Sequence, residues 1–97
     1  MQKEKLIPAD VCCRHYNVEL SFIQSLDQYG FIHIVSVEKT EFIDMDELQT
    51  LEKFIRMHYE LDINMQGIEA INFLLERVQN MQDEIAYLKS KLNVYEG

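Results

Sequence analysis

Glycine and proline are scarce in this sequence, with three of the first and one of the second among 97 residues. Together with 27% charged residues, that scarcity excludes the composition of a disordered tail or a low-complexity linker. Cysteine is also rare. Cys12 and Cys13 are the only two, and as chain neighbours they resist an ordinary disulfide, so no disulfide scaffold is available. Positive charge is short: 9 Lys and Arg stand against 17 Asp and Glu, a formal net charge of −8. Phosphate recognition needs a cationic surface, which puts a nucleic-acid role at a disadvantage. Long apolar runs are missing too. No stretch approaches the roughly 20 residues that span a bilayer, and Met1 to Asp10 lacks a signal peptide's apolar core. These absences predict a cytoplasmic protein without a membrane span.

What is present is enough for one core. At 47% hydrophobic content the chain supports a single compact domain with an appendage, not two independent cores. The spacing predicts a mainly α protein with two parts: a winged helix-turn-helix domain over residues 1–62 and a C-terminal coiled-coil helix over 63–97. Pro8 suits a first helical turn, with Val11, His15 and Val18 following at helical spacing and Asn17 suited to a left-handed exit. A second helix, from about Leu20 to Tyr29, carries Ile23 and Leu26 with Phe22 and Tyr29 beside them, and Gly30 stops it. Two short helices around a tight turn read as a helix-turn-helix. Phe31 to Val37 and Glu41 to Ile43 are β-branched and aromatic, which predicts a hairpin wing around Glu38, Lys39 and Thr40. That turn has neither the Gly nor the Asn that favours a two-residue loop. Asp44 and Glu47 have capping-box spacing, and Leu48, Leu51, Ile55 and Tyr59 supply the stripe of a third helix ending near Tyr59 or Glu60.

From Asn64, a good N-cap residue, to Tyr95 only Gly67 interrupts helix-compatible sequence. Ile71, Val78, Ile85 and Leu92 lie seven apart, as do Leu74, Met81, Leu88 and Tyr95. These are the a and d positions of a heptad, and they predict a dimerisation seam. Such a helix extends roughly 48 Å, more than the ~30 Å breadth of a globule this size, so its far half is expected to project and meet a copy of itself. Flanking charges allow both orientations. Glu84 with Lys89 and Lys91 with Glu96 suit a parallel pair, and Arg77 with Glu84 suits an antiparallel one.

Chemistry is harder to find. Cys12, Cys13 and His15 are metal-ligating types, but consecutive helical residues point about 100° apart and no second ligand pair follows, so buried thiols are the better reading and no metal or cofactor is expected. His33 and His58 read as a strand side chain and a helix-surface residue, with no nucleophile motif near either; the chain is not expected to be an enzyme. Between Glu38 and Glu52 six acids meet one Lys. Without the alternating oxygen ligands of a calcium loop, the stretch Glu38, Glu41, Asp44, Asp46 and Glu47 is the candidate docking face for a basic partner. DNA is the obvious ligand for a helix-turn-helix, yet Leu20 to Gly30 contains no Lys or Arg to read bases or hold phosphates.

The order of elements resembles the MerR-type winged helix. More narrowly, Leu6 to Tyr16, then Phe22, Leu26 and Gly30-Phe31-Ile32, and above all Leu61-Asp62-Ile63-Asn64 leading into Gly67-Ile68-Glu69-Ala70-Ile71, resembles the chaperone modulator CbpM family over about Leu6 to Leu92. That resemblance implies a small bacterial cytoplasmic homodimer joined by antiparallel long helices, which binds the J domain of a DnaJ-like, CbpA-type co-chaperone and inhibits it by covering the surface that engages Hsp70. A J domain presents a basic helix, and the acid excess complements it. The alternative is a MerR-like DNA-binding transcriptional regulator.

Overall fold

The computed structural model describes residues 5–96. It divides into two compact units, Met1–Met65 and Gln66–Gly97. In the first unit the order is β1 (Leu6–Pro8), α1 (Ala9–Tyr16), α2 (Leu20–Gln28), β2 (Ile34–Val37), β3 (Thr40–Asp44), a 3-10 turn (Met45–Glu47), α3 (Leu48–Ile55) and a five-residue π-helical segment (Arg56–Glu60). The second holds one helix, α4, which runs Met65–Glu96. This is a mainly α fold with a small β element beside its first helices and a long C-terminal helix.

Helix ends fall where the backbone chemistry puts them. Asn17 takes the left-handed conformation (φ 56°) after α1, and the Val18 amide donates to the Cys13 carbonyl. Gly30 (φ 79°) closes α2 in a Schellman motif: its amide donates to the Asp27 carbonyl and the Phe31 amide to the Leu26 carbonyl. The α1 stripe differs from the expected one. Ala9 and Cys12 are the buried residues of α1, whereas Val11 and His15 are exposed; Val18, just past the helix, is buried as its place in the stripe requires.

The wing is larger than a hairpin. Three antiparallel strands lie in the order β1-β3-β2, with Ile7 opposite Ile43 and Ile34 opposite Ile43 on the other side. Leu6-Ile7-Pro8 was too short to signal a strand. Its partner makes it one, since β3 offers an unpaired edge that Leu6 to Pro8 covers. The hairpin turn is also tighter than its residues suggested. Val37 pairs with Thr40, leaving Glu38 and Lys39 as a two-residue loop with φ 51° and 67°. Both sit in the left-handed region that non-glycine residues occupy at a cost. Residues 31–33 are not strand: Phe31 stacks between Tyr29 (5.6 Å) and Phe54 (4.9 Å), and Ile32 is fully buried.

The core of the first unit is Phe22, Ile23 and Leu26 from α2, Ile32 from the connection, Ile43 from β3, and Leu51 and Phe54 from α3. On α3 the burial falls on Leu51 and Phe54, while Leu48 and Ile55 are half-buried and Tyr59 is exposed. In the π-helical segment Tyr59 keeps one edge on the core, its ring packing against Phe22 at 5.3 Å and its hydroxyl accepting the Glu19 amide at 3.2 Å, while the rest of the side chain is exposed.

The two left-handed residues at the turn supply a test. Replacing Glu38 by Asn and Lys39 by Gly gives the loop the pair it favours, and should stabilise the chain by about 1 kcal/mol. Thermal unfolding should show Tm rising by roughly 4–8 °C. An unchanged or lower Tm would mean that the turn is not under the stated strain.

Candidate functional site: the acidic wing and the long helix

Strand pleating separates the acids that the sequence grouped. Alternate residues point to opposite faces of a sheet. Ile43, with no exposed surface, marks the inner face, and Glu41 shares it together with Ile7, Ile34 and Ser36. Asp44 lies on the outer face with Leu6, Val35, Val37 and Phe42. Glu41 accepts from Gln24 Nε2 at 3.3 Å. Asp44 caps the 3-10 turn, its Oδ1 accepting from the Asp46 amide at 2.8 Å, and Asp46 stands 3.9 Å from Lys5 Nζ. Glu38 is exposed at the hairpin tip.

Glu47 does something other than complete a capping box. Its Oε2 accepts the His33 amide at 2.9 Å and its Oε1 accepts the His33 ring Nδ1–H at 2.8 Å. The box fails because Asp44 caps a 3-10 turn, not α3 directly, which puts Glu47 beside the start of β2. One residue further, Asp27 Oδ1 accepts the Ile34 amide at 3.0 Å. The hydrogen bond that His33 donates to Glu47, and then the charge of that carboxylate, raise the His33 pKa. His58 is likewise no surface residue. It is half-buried, stacks on Phe22 at 4.7 Å and donates from Nδ1 to the Ile63 carbonyl at 2.8 Å. The π-helical segment turns it inward.

Tyr16 and Glu52 form a pair that sequence gave no sign of, being 36 residues apart: the Tyr16 hydroxyl donates to Glu52 Oε2 at 2.9 Å. Burial, and then that bond, push the Tyr16 pKa up to about 12. Burial also raises the Cys12 and Cys13 thiols, with the neighbouring Cys13 and Asp10 adding to it at Cys12. Cys12 is buried and Cys13 half-buried. Among the described residues no group of three His, Cys, Asp or Glu side chains gathers in metal-binding geometry, and no helix is long and apolar enough to cross a membrane.

The helix positioned to read DNA is poorly equipped for it. On α2 the polar side chains are Ser21, Gln24, Ser25, Asp27 and Gln28, of which Gln24 and Asp27 already bind Glu41 and the Ile34 amide.

On α4 the heptad side chains fall along one side of an unbroken helix. Ile71 is half-buried, whereas Leu74, Val78, Met81, Ile85, Leu88 and Leu92 are 43–58% exposed. Phe73, Tyr87 and Val94, at the c positions of the same heptad, add apolar surface away from that seam.

A strand-flanked helix-turn-helix followed by a long helix is the arrangement that a family model for MerR HTH family regulatory proteins matches over residues 7–90. The chain belongs to this MerR family. Within it, the likeness to CbpM read from the Leu61 to Ile71 segment is borne out: the chaperone modulatory protein CbpM of Pseudomonas entomophila (strain L48) is 25% identical over 81 residues, covering 82% of this chain and 80% of that protein. No solved structure matches the chain.

The His33–Glu47 pair sets a pH dependence. The folded His33 pKa lies above its unfolded value of about 6.5, so the pair's contribution is complete below that pH and is lost as pH rises through the folded pKa. Glu47→Gln keeps an acceptor for the His33 amide while removing the charge. Its Tm deficit against the wild type should be largest near about pH 6 and shrink by about pH 8.5. A deficit that grows with pH would contradict the pairing.

Proposed function

We propose that this chain is a non-enzymatic, cytoplasmic modulator of a DnaJ-like, CbpA-type co-chaperone, binding its J domain and keeping it from Hsp70. The observation that carries this reading is the likeness to CbpM across four-fifths of both chains, and the cation-free α2 agrees with it. In this reading residues 1–62 form the winged helix-turn-helix-like domain and residues 63–97 the dimerisation helix. The acids Glu38, Glu41, Asp44, Asp46 and Glu47 contribute potential toward the basic J-domain helix, with Glu38 exposed at the hairpin tip and Asp46 exposed beside Lys5. The family's regulatory-protein description favours a second reading, a MerR-like transcriptional regulator. A gel shift with the chain's own upstream DNA discriminates the two, since specific binders reach about 10⁻⁸ M. No shift at micromolar protein is expected.

The dimer is proposed to close along Ile71, Leu74, Val78, Met81, Ile85, Leu88 and Leu92. Burying each such side chain is worth about 1.5–3 kcal/mol, and burying an unpaired charge is costly. Light scattering should give twice 11.5 kDa for the wild type and the monomer mass for Val78→Asp combined with Ile85→Asp. A monomeric wild type at micromolar concentration would end the dimer reading.

Binding to the isolated J domain should weaken with salt, chiefly through slower association, because screening acts over a Debye length of about 8–10 Å. Glu38→Gln with Asp46→Asn is the first set to try, since it spares the Gln24, His33 and Asp44 hydrogen bonds. Surface plasmon resonance should show weaker binding with an unchanged circular dichroism spectrum. If no encoded J domain binds, the co-chaperone reading fails.

A further inference from the structure

The sheet is apolar on both sides, and only one side belongs to the core. Ile43 on the inner face has no exposed surface. On the outer face Leu6, Val35, Val37 and Phe42 retain partial exposure. Leu6, Val37, Glu38, Thr40 and Phe42 line a depression of about 200 Å³ there, with more apolar than polar surface. A cavity of about 150 Å³ lined by apolar side chains admits a benzene ring, so this one has room for a leucine- or phenylalanine-sized side chain. Asp44 shares the face, and Glu38 stands on the rim, held there by a turn that keeps two non-glycine residues at positive φ. Lys39, the cation in that turn, instead lines a separate depression with Asp10 and Glu41.

We propose that the outer face of the sheet is a docking groove for an amphipathic, basic segment of a protein partner, which seats one apolar side chain between Leu6, Val37 and Phe42 and sets flanking Lys or Arg against Glu38 and Asp44. Charge selects this occupant. A second copy related by two-fold symmetry would set this patch against the same patch, so Glu38 and Asp44 would face each other or themselves across the axis, and like charges facing across an interface are repelled. Strand addition is disfavoured as well: the Ile34 amide of β2 is already taken by Asp27, and β1 ends in Pro8, which has no amide hydrogen. The partner therefore reads the face of the sheet and not its edge. That this partner is the J-domain protein rests on the proposed function, whereas the chemistry of the groove does not.

The test uses the full chain carrying Val37→Thr with Glu38→Asn. Thr retains strand preference and Asn suits the left-handed turn, so folding is preserved, which circular dichroism and Tm verify. Glu60→Gln, an exposed change of the same charge in the π-helical segment, is the control. Two probes are titrated by calorimetry: the isolated J domain of a DnaJ-like protein from the same genome, and a synthetic amphipathic lysine–leucine peptide. The expected result is a Kd raised at least about tenfold for both probes in the double variant, and unchanged in the control. J-domain binding that ignores the double variant overturns the groove and leaves the co-chaperone reading standing. A peptide that binds the wild type and not the variant, while no J domain binds, upholds the groove and removes the co-chaperone. Failure of both probes, or a change in oligomeric mass with the double variant, overturns the groove.

Discussion

Two carboxylates hold consecutive amides at the point where the helical part of the first unit becomes the sheet. Glu47 takes the His33 amide and Asp27 the Ile34 amide. Loss of either bond leaves a donor to find water or stay unpaired, and an unpaired buried donor costs about 1–3 kcal/mol. The consequence is geometric. With the Schellman turn at Gly30 on one side and these two bonds on the other, residues 31–33 have a fixed course that drops Ile32 into the core and lays Phe31 on Phe54. From there β2 can start only where Ile34 meets Ile43, and the register of the sheet follows.

This arrangement also explains why a net charge of −8 does not translate into one continuous acidic face. Several acids are engaged in holding the fold: Asp27 and Glu47 at the start of β2, Glu52 on Tyr16, Glu41 on Gln24, Asp44 on the turn after β3. A helix-turn-helix that served DNA would keep the polar side chains of α2 free for bases and add cations for phosphates. Here Gln24 and Asp27 turn toward the chain itself. The fold keeps the frame of a DNA reader while its second helix is tied to the wing.

The sequence made the helices legible because their signals are local. Asn17, Gly30 and the heptad from Ile71 to Leu92 each act within a few residues, so helix ends and the long helix could be placed directly. The sheet was harder for a physical reason. Leu6 to Pro8 becomes a strand only through β3, more than 30 residues later, and the tight turn at Glu38 and Lys39 is imposed by pairing of its flanks against the preference of its own residues. A signal for the outer face was there in Val35 with Val37 and in adjacent Phe42 and Ile43, since strands apolar on both faces are not the alternating kind that leaves one face to water. Glu47 and His58 were misplaced because their partners, His33 and Phe22, are brought to them by the turn after β3 and the π-helical segment.

Cys12 has a consequence for how this protein ages in solution. Its thiol is buried on the inward side of α1, and burial holds its pKa above the usual value. Since the thiolate is the reactive species, such a thiol is slow to meet oxidants or alkylating reagents while α1 stays docked. The sulfur is thus protected by the packing it contributes to, and its chemical lifetime measures how often the first helix lifts away. Cys13, one residue on and half-buried, provides an internal comparison on the same helix, so the difference in reactivity between the two neighbours is a clock for local opening that is already written into the chain.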